Sequence, residues 1–305
     1  MSSQPTMLFD SQTAPYALQT YYGYVRAWRE RIARENDNGD LTQAALQIPN
    51  VAKLQGGLSP SQKLIASYSR GKLTLKAMAT FPINDNKHLA STANLWLPVQ
   101  AYYALHGAGL AAMLSLGHNE PKDHRAFRAA LSELAARFLP PPLNIQCTGG
   151  PQSLDYRFTV LNATPQAIID YNSLSNPIYS GNLDCAIGKC LSTTRHRFLE
   201  EMFDKARHCN ISDKRKRRNI PQAEKQTISK KLHATTLIDF LYRMRVRSNY
   251  DDPDIYLYAH SQVDDAARHY ADLLFLTQAA FSALSVILLK KLGKSTFEQI
   301  EGQFS

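Results

Sequence analysis

The chain has 305 residues, of which 44% are hydrophobic and 20% charged, proportions that exclude wholesale disorder and allow one large domain or two smaller ones. The formal net charge of +9 is not spread evenly: Lys189 to Arg247 carries 16 basic and 6 acidic residues, a local excess of +10, which leaves 19 basic and 20 acidic residues elsewhere. Composition therefore points to a globular protein with one confined basic segment.

The opening MSSQPTMLFDSQ has no basic stretch followed by an apolar run and no small-residue cleavage site, so no secretory signal is read there and a cytoplasmic location is expected. A first helix is predicted over Ala14 to Arg34. A turn follows at Gly56 to Pro60, where Ser59-Pro60 is placed to start a helix near Ser61, and a loop is expected at Pro82 to Lys87. Leu97 to Leu116 reads as a helix opened by Pro98, and its many Ala and Gly residues permit close approach of a neighbour. Lys122 to Phe138 sets Phe127, Leu131, Leu134 and Phe138 on one stripe, and Pro140, Pro141 and Pro142 end it.

Asn144 to Val160 alternates apolar and polar positions around a Gly-Gly-Pro turn, the pattern of a β-hairpin. The stretch onward to Leu183 reads as loop. Gly181 to Lys189 superficially resembles a phosphate loop, but six residues rather than four separate Gly181 from Gly188 and Cys190 stands where Ser or Thr belongs. Three further helices are expected, at Leu191 to His208, Pro221 to Arg247 and Ser261 to Leu292, the middle one carrying the core stripe Leu237, Phe240, Leu241 and Met244. The apolar stretch Leu273 to Leu289 is read as a core helix and not a membrane span, being interrupted by polar residues and just short of ~18 residues.

Cys147, Cys185, Cys190 and Cys209 are irregularly spaced, which suggests free thiols in a reducing compartment. Zinc is not expected: on a helix, Cys190 and His208 lie about 27 Å apart and His196 points away from Cys190. No cofactor is implied.

Confined positive charge is the electrostatic footprint of a phosphate-backbone binder. The candidate nucleic-acid contacts are Lys214, Arg215, Lys216, Arg217, Arg218, Lys230, Lys231, Arg243 and Arg247. An acidic protein partner would be attracted to the same residues, and a solvated loop between helices is the plainer alternative for Lys214 to Arg218.

Two segments resemble the HEPN superfamily, whose members are helical proteins of bacterial toxin, antiviral and stress systems. AYYALHGAGLAAML at 101–114, followed by KDHRAFRAALSELAARF, is similar to the opening HEPN helices, and LYRMRVRSNYDD at 241–252 with the long helix after it is similar to the later ones. The resemblance covers less than half of the chain. It implies a mainly α fold, an up-and-down helical bundle over 86–305 with a small hairpin insertion at 139–188, preceded by an N-terminal helical subdomain at 1–85. It also implies a homodimer. Many HEPN proteins are metal-independent RNases that use an arginine and a histidine separated by four to six intervening residues. This sequence departs from that pattern, because none of its nine histidines has an arginine five to seven positions before it.

If there is catalysis, the candidates are Arg245, Tyr250, His106 and His124, with a histidine supplied from another helix. Each has a structural alternative: His106 as a hydrogen-bonded core residue on the face of Tyr102 and Tyr103, His124 as part of a helix start, and Arg245 and Tyr250 as structural residues, the arginine pairing with Asp251 or Asp252. Three functions remain open: a non-catalytic module holding RNA or another polyanion, an endoribonuclease with a relocated histidine, and a scaffold for an acidic protein.

Overall fold

The computed structural model describes residues 13–35, 40–83, 86, 88–150, 155–159, 183–208, 219–251 and 263–304, and among them the chain is mainly helical. In order come α1 (Thr13–Glu35), the short α2 (Thr42–Leu46) and α3 (Pro49–Ala52), α4 (Gln62–Ala79), α5 (His88–Ser115), α6 (His124–Phe138), strands β1 (Gln146–Gly150) and β2 (Asp155–Thr159), α7 (Leu183–His208), α8 (Gln222–Lys230), α9 (Leu237–Val246), a π-helical turn (Arg247–Asp251), α10 (Val263–Leu292) and α11 (Lys294–Gly302). β1 and β2 pair antiparallel, with Gln146 opposite Thr159 and Gly150 opposite Asp155, as the alternating pattern predicts.

One apolar cluster runs through most of these elements. It joins Trp28 of α1, Tyr68 of α4, Leu105 of α5, Leu131 of α6, Leu241 of α9 and Leu284 of α10. The cluster continues across residue 85, so α1 and α4 share a core with the later helices. α10 is long and apolar enough to cross a membrane, yet most of it is buried inside this core. The stripe on α6 and the stripe on α9 are buried in that same core, where Leu131 and Phe127 of α6 also pack against α5.

α4 and α5 pack unusually close. A methyl group added at Gly107 would lie 2.6 Å from the Gly71 nitrogen and from the Ser67 carbonyl oxygen, so only glycine allows the two backbones to meet there. Ser61 caps α4 by accepting from the Leu64 amide, and Asp123 caps α6 by accepting from Ala126.

Three sequence expectations need correction. α5 begins at His88, so Pro98 lies inside the helix rather than at its start. An internal proline costs about 3 kcal/mol, against which stands the burial of Ala90, Ala93 and Leu97 ahead of it. α7 likewise begins at Leu183, so the stretch that superficially resembled a phosphate loop is helical from Leu183 onward. The single helix expected over Pro221 to Arg247 is broken: Thr235 leaves helical geometry to exchange backbone hydrogen bonds with Cys147 of β1. Thr236 and Asp239 then form a capping box that starts α9 afresh.

Candidate functional site

The break before α9 organises a buried polar knot. Asp239, fully buried, accepts from Arg128 Nη1 at 2.7 Å, from the Thr236 amide at 3.0 Å and from Ser132 Oγ at 3.2 Å, and it lies 2.9 Å from His233 Nε2. Burial alone would raise its pKa, but the His233 hydrogen bond and the charges of His233 and Arg128 hold the carboxyl below its ordinary range. Arg128 also lies over the rings of Tyr242 and Phe198, at 4.2 and 4.4 Å. This knot ties α6 to α9 and fixes the rotation of α9 about its axis.

That rotation aims Arg245 at α5. Its guanidinium carbon lies over three tyrosine rings, 5.4 Å from Tyr102, 5.1 Å from Tyr103 and 5.6 Å from Tyr242, and Nη2 donates to the Tyr103 hydroxyl at 3.0 Å. Arg245 is only 9% exposed and its Nε has no hydrogen-bond partner. Among the described residues it has no carboxylate partner either, unlike Arg128, which lies over the same Tyr242 ring and pairs with Asp239.

Two imidazoles complete the cluster. The rings of His106 and His124 lie 5.7 Å apart, each about 6.2 Å from Tyr103, and His124 Nδ1 is 2.9 Å from the Tyr102 hydroxyl. His106 leans on Phe127 at 4.1 Å and makes no hydrogen bond among the described residues, which corrects the expectation of a hydrogen-bonded core histidine. Burial, then the charges of His124, Arg70 and Arg245, push its pKa down to about 4. Burial and the charges of Arg245 and Arg128 lower His124 as well. Both rings are thus neutral near pH 7, and the cluster's fixed charge is the Arg245 cation.

Of the four catalytic candidates, Arg245, His106 and His124 are brought together by α5, α6 and α9. The side chain of Tyr250 lies outside the described residues. Sequence reading missed Tyr242 and Arg128 as members, although Tyr242 stands three positions before Arg245, and Tyr102 four before His106, so each pair shares a helix face.

Among the described residues, the cations of the basic segment fall on separate surfaces. Lys214, Arg215, Lys216, Arg217 and Arg218 lie outside the described residues. Arg243 and Arg247 turn to α1, where both lie over the Tyr21 ring and Arg247 donates to its hydroxyl at 2.6 Å. With Arg197, whose partner is Glu201, they line a cleft of about 600 Å³ between α7 and α9 that Tyr242 also borders. Lys230 lines a different cleft beside β1, and Lys231 is exposed nearby. Arg195 is spent internally: buried, it donates to the carbonyls of Gly149, Ser229, Leu232 and His233 and so holds the hairpin to the link before α9.

Comparison with protein-family models, with curated proteins and with solved structures finds no match to this chain.

Proposed function

We propose that this chain is an HEPN-like helical protein that binds RNA, or another polyanion of the same phosphodiester chemistry, without cleaving it, and that Arg245 holds a phosphate. A single observation carries the reading: a guanidinium buried among three tyrosines, with an unused Nε and, among the described residues, no carboxylate. The three rings and the Tyr103 hydroxyl offset the cost of burying that charge, and a cation held without a carboxylate among the described residues, beside two imidazoles, is poised for an anion. The confined basic segment supports it, since a local excess of positive charge draws a polyanion to the protein. Homodimer formation belongs to the resemblance and is part of the proposal.

The test is RNA binding by the wild type beside Arg245→Met, read across a salt series. Loss of affinity in the variant together with a shallower salt dependence is expected; equal affinity at every salt concentration refutes the role of Arg245.

One observation favours a second reading, an endoribonuclease. Two imidazoles next to a phosphate-binding arginine are the groups that attack by a 2′-hydroxyl requires. Against it stands their protonation: with both rings neutral near pH 7, a base is present and an imidazolium acid is not. Binding of an acidic protein through the cleft residues Arg197, Arg243 and Arg247 is the third proposal, and it predicts no RNA affinity.

A further inference from the structure

Beside the Arg245 cluster, α5 shows two large aromatic side chains to solvent. Tyr103 is 39% exposed and Trp96 is 61% exposed. Seven residues apart on one helix, they lie on the same face, separated by about 10 Å, or roughly three rises of ~3.4 Å along a stacked strand. The Tyr103 ring is already backed by the Arg245 guanidinium on one side, and Arg70 of α4 is near enough to depress the His106 pKa. Cations therefore sit at one end of an aromatic track that no described part of the chain covers.

We propose that this face of α5 is a stacking platform for single-stranded RNA, in which a phosphate rests on Arg245, an unpaired base stacks on Tyr103, and a base further along the strand stacks on Trp96. The inference rests on the phosphate site above and narrows its ligand from any polyanion to a strand with accessible base faces. A duplex hides those faces, and a bare polyphosphate has none, so neither uses the track. Charge complementarity selects this occupant over an apolar protein surface: an apolar partner would leave Arg245 and Arg70 unsatisfied at the end of the interface.

The chain supplies its own reporter. It has two tryptophans; Trp28 is fully buried in the core and Trp96 is exposed, so a change in fluorescence on RNA addition reports Trp96. The experiment titrates the full chain with a single-stranded 12-nucleotide oligouridylate and with an abasic strand of equal phosphate number. Expected are quenching and affinity about tenfold tighter for the base-bearing strand, an advantage that Trp96→Ala reduces several-fold while leaving abasic binding unchanged. Size-exclusion chromatography of both proteins is run alongside. Equal affinities for the two strands, with binding still dependent on Arg245, overturn the platform and leave the phosphate site standing. No binding of either strand overturns the phosphate site itself. A Trp96→Ala protein that keeps the preference for bases but elutes as a smaller species assigns Trp96 to self-association, and the platform falls.

Discussion

His269 gives the structure a built-in sensitivity to acid. It lies on α10 at 2% exposure, neither ring nitrogen has a hydrogen-bond partner, and its ring stacks on Tyr22 of α1 at 4.0 Å. Burial pushes its pKa down to about 3, against an ordinary value near 6.5. The folded state therefore refuses a proton that the unfolded chain accepts, so stability is intact above pH 6.5 and is lost as pH falls below it. Between pH 7 and pH 5 the unfolded state gains about 2 kcal/mol from protonating this one residue, a large fraction of the 5–15 kcal/mol typical of a domain. Replacing His269 by Phe keeps the stack on Tyr22 and removes two orphaned polar atoms, so no hydrogen bond is lost. Urea unfolding at pH 7 and pH 5 checks this: His269→Phe should lose about 2 kcal/mol less than the wild type over that interval. Parallel losses in the two proteins would refute the assignment of acid sensitivity to His269.

Arg128 and Arg245 should behave oppositely when each is changed to Met. Arg128→Met takes the guanidinium from the buried Asp239 carboxylate and is expected to cost about 3–5 kcal/mol, whereas Arg245→Met frees only the part-exposed Tyr103 hydroxyl, strands no carboxylate among the described residues, and should keep stability within about 1 kcal/mol while abolishing RNA binding; thermal melts and RNA titration distinguish them. Gly107→Ala forces α4 and α5 apart at their closest approach and should cost about 1–3 kcal/mol, seen as a lower Tm; an unchanged Tm would mean the helices can separate freely. Wild-type protein should cleave labelled RNA no faster than Arg245→Met at pH 7, since the loss of an acid–base pair forfeits about 10²–10⁴ in rate; Arg245-dependent cleavage in the presence of a chelator would establish the ribonuclease reading instead.

The helices near α1 and α4, the apolar stripes of α6 and α9, and the hairpin were legible in the sequence, because each depends on start signals or spacing along a few turns of chain. Two of the three misjudged stretches were those where a distant partner outweighs local preference. Pro98 reads as a helix start until the packing of Ala90 to Leu97 is known, and Thr235 reads as helical until Cys147 offers it a strand partner. The candidate site followed the same division. Arg245, His106 and His124 could each be singled out by residue type, but their meeting depends on the Asp239–Arg128 knot that sets the rotation of α9 against α6, an interaction across 111 positions that no local pattern records. The charge of Lys189 to Arg247 looked uniform for the same reason: sequence counts cations, and only the fold separates Arg195, consumed by five internal acceptors, from Arg245, left with an unused donor.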